Sequence, residues 1–247
     1  MKLQFSGNHA LILGGTCELA ISLAGCMINA GIFPTLTYRN SKGLNHISER
    51  LDPFKGKYGS AYLDFSDRSS LDALLTQTGR DLDYLVDFVQ GDFESLIASA
   101  DEEDVYRYFT ENVSFRAEII KKVARVMLAK KMGRLVYVSS SAAARPNPGQ
   151  GFYAAAKLAS EALYRNLGLE LGGRGITTLT LRPGYIDEGR GSAFLKAHGR
   201  EALGRVPIKK ALTATEVAET ILFYLSDSAR GFNATEISLD GGLTAGK

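Results

Sequence analysis

Strand-length apolar runs alternate with helix-length amphipathic segments along the whole chain, and this alternation restricts the fold more than any other feature of the sequence. The runs His9–Leu13, Thr35–Tyr38, Ser60–Leu63, Tyr84–Val89, Arg134–Val138, Ile176–Leu181 and Glu236–Leu239 read as strands. Between them Cys17–Ala30, Leu44–Leu51, Arg68–Thr78, Glu103–Lys131, Gly151–Leu171 and Thr215–Leu225 read as helices. Asp67 suits the start of the third helix and Thr213 or Thr215 that of the last, while Gly172 and Gly173 close the long helix before them. Apolar strands separated by helices imply an α/β fold: a single Rossmann-like doubly wound domain, with a mostly parallel seven-stranded sheet and helices on both faces. No repeat, low-complexity tract or linker interrupts the pattern, so residues 1–247 are expected to form one domain. In such sheets ligands sit beyond the carboxyl ends of the strands, and function is expected there.

Composition narrows the partners. With 45% hydrophobic and 23% charged residues and a net charge of +2, the chain has the balance of a soluble globular protein and no bias toward nucleic acid or membrane surfaces. The stretch from His9 to Phe33 carries Glu18 as its only formal charge, but Gly14, Gly15, Gly25, Gly31 and Asn29 fit a buried strand and helix better than a leader or membrane span. Cys17 and Cys26 are too few for a disulfide framework, and a reduced, cytoplasmic setting is expected. His9, His46 and His198 share no metal-like spacing with one another or with cysteine, so no metal is expected.

Chemistry concentrates at the strand ends. Tyr153 and Lys157 stand four apart on an expected helix and so project from one face, and Ser140 lies just past a buried strand in Val138-Ser139-Ser140-Ser141. The set suits hydride transfer to a carbonyl, whose oxygen needs a proton and hydrogen bonds as it becomes an alkoxide. Tyr153 would donate the proton, Ser140 would hold the oxygen, and the Lys157 ammonium would lower the tyrosine pKa from about 10. Spacing alone decides little, since Tyr38 and Lys42 share it. Only the second pair has a serine-rich strand end upstream and the strand exit Arg182-Pro183-Gly184 after it.

On these residues the chain resembles the short-chain dehydrogenase/reductase family over essentially its whole length, with the β-ketoacyl-carrier-protein reductases as the most similar branch. Ser140, Tyr153 and Lys157 match the family's catalytic positions, and Asn112 in Thr110-Glu111-Asn112-Val113 matches a fourth, which in the family holds a water that relays protons toward the lysine. Gly133 to Ser140, Pro183-Gly184-Tyr185-Ile186 and Leu239-Asp240-Gly241-Gly242 fit the family pattern as well. The resemblance implies NADPH as cofactor. The residues it places on the cofactor are Gly14, Thr16, Leu19, Arg39, Asn40, Asp64, Phe65, Gln90, Tyr153, Lys157, Pro183, Gly184 and Ile186. Arg39 follows the second strand where an acidic residue would grip the ribose hydroxyls of NAD, and it suits a 2′-phosphate instead.

Three segments depart from the pattern, all on the cofactor side. Glu18 and Ala20 replace glycines of the first turn, Asp87-Phe88-Val89-Gln90 replaces Asn-Asn-Ala-Gly, and Glu188 stands where a threonine is usual. An unpaired carboxylate at Glu18, some 5 Å from a phosphate, would cost roughly 3 kcal/mol at an effective dielectric near 20. Paired with a base, it would cost little.

The segment 188–210 is expected to be a lid over the substrate, and its residues Arg190, Lys196, His198, Arg200, Arg205, Lys209 and Lys210 make it basic. Together with Lys130, Lys131 and Arg174 it suits an acidic acyl carrier protein, although solvated helix faces would look the same. By resemblance the protein is expected to form a homodimer or homotetramer. The leading expectation is an NADPH-dependent reductase of 3-oxoacyl groups on an acyl carrier protein. Two others stay open: a reductase or dehydrogenase of a free small ketone or alcohol, and a scaffold subunit with an impaired cofactor site.

Overall fold

A computed structural model describes residues 2–78 and 81–245. Its sheet is parallel throughout, with seven strands in the order β3-β2-β1-β4-β5-β6-β7. The strands are β1 His9–Leu13, β2 Phe33–Tyr38, β3 Gly59–Tyr62, β4 Tyr84–Asp87, β5 Gly133–Val138, β6 Ile176–Pro183 and β7 Thr235–Leu239. The helices are α1 Glu18–Asn29, α2 Ser41–Arg50, α3 Ser69–Thr78, α4 Glu102–Phe109, α5 Phe115–Lys130, α6 Ser141–Ala144, α7 Gly151–Leu171, α8 Gly189–Gly204 and α9 Ala214–Leu225.

Strand alternation sends successive side chains into two cores. Ala10 and Ile12 of β1 pack with α1, Ile47 of α2 and the buried face of α9; Leu11 and Leu13 pack with α3, α5 and Tyr164 of α7. The order reverses between β1 and β4, so the cleft expected of a doubly wound sheet opens beyond the carboxyl ends of those two strands.

Most boundaries follow the apolar pattern, and the differences have local causes. Strand β2 begins at Phe33, two residues early; the Phe33 N–H bonds Asn8, so Pro34 turns its missing donor toward β3, whose pairing starts only at Thr35. Helix α7 does end at Leu171, but Gly172–Arg174 adds a 3₁₀ turn and Gly175 supplies the left-handed exit, with φ 80°. A Cβ on Gly175 would lie 2.3 Å from the Lys131 carbonyl oxygen. Of the two candidate caps for α9, Thr213 is the one used, in a reciprocal box with Glu216. Asp67 accepts the backbone N–H and hydroxyl of Ser69 at the start of α3.

The expected helix Glu103–Lys131 is a correction. It is interrupted by a π turn, Thr110–Ser114, in which the Phe115 N–H reaches back five residues to the Thr110 carbonyl. Asn112 sits at its centre. The segment 188–210 is more regular than expected, because Gly189–Gly204 forms the single helix α8. The Arg190 side chain lies outside the described residues.

Candidate active site

The turn from β1 into α1 is built for close approach. Gly14 has φ 74° and donates its N–H to the Thr37 hydroxyl at 3.0 Å, and a Cβ on Gly15 would come within 2.5 Å of Leu36. This packing leaves a cleft of about 190 Å³, lined by Gly14, Thr16, Arg39, Asp64, Phe65 and Gln90 among others. Six of the expected cofactor residues therefore share one cleft. Arg39 is exposed there and makes no ion pair with any described carboxylate. Among the described residues the buried amide oxygen of Gln90 has no hydrogen-bond partner, while its amide nitrogen donates to the Tyr108 hydroxyl at 2.5 Å. An open basic group, an orphan acceptor and a glycine cradle fit a phosphate-bearing dinucleotide.

Among the expected cofactor residues, Asn40 and Asp64 hold local hydrogen bonds, and Leu19, Pro183, Gly184 and Ile186 lie outside that lining. The Asn40 side chain caps α2 by accepting from Gly43, and the Asp64 carboxylate accepts the backbone N–H and hydroxyl of Ser66. Leu19 packs half-buried against the core. Pro183 ends β6; the Gly184 N–H bonds Leu239, and a Cβ there would lie 2.9 Å from Asp240 Cα. Ile186 bridges to Leu212 and packs against the same core.

The departures from the expected pattern carry their own compensation. Glu18 is gripped by Arg50, with Nη1 at 2.7 Å from its carboxylate oxygens, and His46 stands 3.7 Å away. The repulsion of an unpaired carboxylate therefore does not apply. Glu188 accepts the Ala214 N–H at 2.8 Å and so fastens the start of α9 to the beginning of α8.

Past β5, Ser140 caps the short α6, its hydroxyl accepting from the Ala142 N–H at 3.1 Å. Tyr153 lies in the first turn of α7, and Lys157 one turn further projects from the same face. The Lys157 ammonium is buried, donates to the Val138 carbonyl at 2.9 Å and stands 5.7 Å from the centre of the Tyr153 ring. Asn112 is buried in the lining of the cleft, its side chain accepting from the Gly91 N–H at 2.8 Å and donating to the Tyr108 carbonyl at 2.9 Å. The π turn and the strand exits thus bring Asn112, Ser140, Tyr153 and Lys157 to one end of the sheet.

One electrostatic expectation is corrected. Burial pushes the Tyr153 phenol above its usual range, although the Ser140 hydroxyl pulls it down in part. The larger departure belongs to Lys157, which burial first and the Arg116 guanidinium second lower to about 7. A phenol held above 10 is a protonated donor at neutral pH.

Two buried networks were not found in the sequence. The Ser139 hydroxyl donates to Glu161 at 2.6 Å, and Glu161 is bound in turn by Arg182, which also reaches Glu236. This fastens the β5 exit, β6, β7 and α7 together. The second network joins Asp87 and Arg116, both fully buried, at 2.7 Å. An acidic residue at a strand exit and an arginine one turn after Asn112 were the available signal; nothing in their spacing announced that they meet.

The basic residues expected to dock a carrier are divided. Lys130 is neutralised by Asp81 and Asp83, and Lys130, Lys131 and Arg174 precede β5 and β6, at the opposite end of the strands from Tyr153. His9, Asp81 and Asp83 do gather their ligand atoms within 4.8 Å, but the Lys130 ammonium already occupies that carboxylate pair. Arg205 pairs with Glu201 of α8. Among the described residues no helix is long and apolar enough to cross a membrane.

A parallel sheet whose strand order reverses at β1 and β4, with a cleft beyond their carboxyl ends, defines a Rossmann-like fold. A family model described as enoyl-(acyl carrier protein) reductase matches residues 18–244, and the chain belongs to the short-chain dehydrogenase/reductase family. Among curated proteins it is similar to the 3-oxoacyl-(acyl-carrier-protein) reductase FabG of Haemophilus influenzae, 28% identical over 240 residues and covering 96% of this chain and 98% of that one. The FabG of Thermotoga maritima is 27% identical over 245 residues, covering 98% and 99%. Among solved structures, a short-chain dehydrogenase/reductase family protein superposes with a TM-score of 0.87 at 25% identity, covering 100% of both chains. An actinorhodin polyketide ketoreductase solved with NADPH superposes at 0.88, with 22% identity and 96% and 97% coverage, and speaks for the fold alone.

Proposed function

We propose that this chain is an NADPH-dependent reductase that converts a ketone to a secondary alcohol, with a 3-oxoacyl group on an acyl carrier protein as its substrate. The observation that carries the proposal is the placement of the protonated Tyr153 phenol beside the Ser140 hydroxyl, with the Lys157 ammonium one helical turn behind. Gly14, Thr16, Arg39 and Gln90 would hold the dinucleotide in their cleft, with Arg39 facing a 2′-phosphate. When bound, the reduced cofactor supplies a hydride to the carbonyl carbon.

The protein's own residues handle the oxygen. Ser140 hydrogen-bonds the carbonyl oxygen and polarises it. As the carbon–oxygen π bond breaks, Tyr153 gives its phenolic proton to that oxygen, and Lys157 restores a proton to the phenolate. At the start of α7 an apolar groove of about 480 Å³, lined by Leu96, Ile97, Pro146, Pro148 and Gly151, has room for an acyl substituent. The Glu18–Arg50 pair supports an enzyme over a scaffold, since it removes the chief objection to cofactor binding.

Purified protein would be titrated with NADPH and NADH, following nicotinamide fluorescence, and then assayed on 3-oxoacyl and enoyl thioesters and on free ketones. NADPH binding far tighter than NADH, with turnover greatest on carrier-bound 3-oxoacyl substrate, is expected. Equal rates on free and carrier-bound ketones would defeat the carrier, preference for the enoyl thioester would defeat the ketone, and failure to bind either nucleotide would defeat the enzyme.

A further inference from the structure

The end of β4 and the helix that carries Asn112 hold a charge pair with no exposure to solvent. The Arg116 Nε lies 2.7 Å from Asp87 Oδ2, which also accepts the Tyr164 hydroxyl at 3.0 Å, while Asp87 Oδ1 accepts the Val89 N–H at 2.9 Å. The remaining guanidinium nitrogens are directed at the site. Nη1 donates to the Asn112 carbonyl and, at 3.0 Å, to the Ser160 hydroxyl; Nη2 donates to the Val89 carbonyl. Ser160 lies on α7 next to Lys157 along the buried face, and its hydroxyl is tied to Ala156. One side chain therefore joins the β4 exit, the π turn and the helix of the tyrosine–lysine pair.

Its charge also reaches the lysine. The Arg116 guanidinium stands 5.2 Å from the centre of the Tyr137 ring and the Lys157 ammonium 5.0 Å from the same centre. Two cations share one aromatic ring, in a site from which water is excluded. A buried ion pair is a poor source of stability by itself, because desolvation offsets most of its attraction. Its place here asks for another explanation.

We infer that Arg116, seated on Asp87, is a positioning residue for Lys157: it locks the Asn112 turn to the lysine's helix and stands as a permanent second cation beside the ammonium. The inference rests on the proposed role of Lys157, but it concerns a property of the protein without ligand. The groups facing Lys157 are Tyr153 and Glu161 from α7, Tyr137 from β5, Arg116 from α5, Asp87 from β4 and Cys17 from the first turn. Arg116 favours release of the lysine proton; Asp87, Glu161 and Cys17 oppose it. Substitutions on the two sides of the ion pair must then act in opposite directions.

The test is a titration of the Lys157 side chain in the ligand-free protein by ¹³C NMR, with its resonance identified by its loss in Lys157→Arg. Arg116→Gln leaves Asp87 as an unbalanced anion and should raise the midpoint, while Asp87→Asn leaves Arg116 unbalanced and should lower it, each by about one pH unit. Arg116→Lys keeps the charge and should stay nearest the wild type. The acid limb of kcat should follow the same order. The double variant Asp87→Asn/Arg116→Gln removes both charges at similar shape, and it serves where a single variant does not fold; its midpoint should rise less than that of Arg116→Gln. Movement in the same direction by both single variants, or no movement in any folded variant including the double, would overturn the inference. An inactive wild type with the expected titrations would sink the functional reading and leave the positioning intact.

Discussion

At the scale of single residues, the site depends on groups whose surroundings set their proton affinity. Tyr153→Phe removes the acid while keeping the ring, so kcat for ketone reduction should fall roughly 10²–10⁴-fold with the circular dichroism spectrum unchanged. A fall of less than tenfold would show that another group delivers the proton. Glu18 tests the cofactor side. Its carboxylate is acceptable because Arg50 holds it, so Arg50→Ala should weaken NADPH binding about tenfold and Glu18→Gln/Arg50→Ala should restore it. Equal binding by all three proteins would mean that Glu18 never approaches the phosphate. Ser140, Tyr153 and Lys157 were legible in the sequence because each occupies a strand exit or a helix face with a fixed offset, whereas Asn112 was legible only through the family resemblance. The partners of Glu18, Glu188, Asp87 and Arg116 were not, since each bond joins segments whose adjacency depends on strand order.

Among the elements, caps and interruptions decide where side chains point. The Thr213–Glu216 box satisfies donors at the start of α9, a helix whose Val217, Ala218, Ile221 and Leu225 are buried against α1 and the sheet. Thr213→Ala should therefore lower stability by about 1 kcal/mol in urea unfolding, without changing the dependence on urea concentration. An unchanged midpoint would mean that the Glu188 carboxylate on Ala214 carries the cap alone. The strands and most helices were legible because burial repeats at their own periods. The π turn was not, as Thr110–Ser114 keeps the amphipathic pattern of its neighbours while side-chain bonds from Asn112 and Arg116 hold the wider geometry.

For the molecule as a whole, the doubly wound sheet places a buried lysine where three layers meet, and that placement links folding to pH. Lys157 releases its proton near 7 in the folded chain against its usual 10.5 in the unfolded one. Below pH 7 both states hold the proton, and the folded state bears the full cost of burying it. Between 7 and 10.5 the unfolded chain binds a proton that the folded chain has released, so this residue makes stability rise with pH across that window. Above 10.5 both are neutral and the contribution is complete. The slope from one such group reaches at most about 1.4 kcal/mol per pH unit. Lys157→Met deletes it. Urea unfolding of both proteins at several pH values across the window should show the wild type gaining steadily on the variant as pH rises. Parallel curves would mean that the lysine stays charged in the folded protein across the whole window.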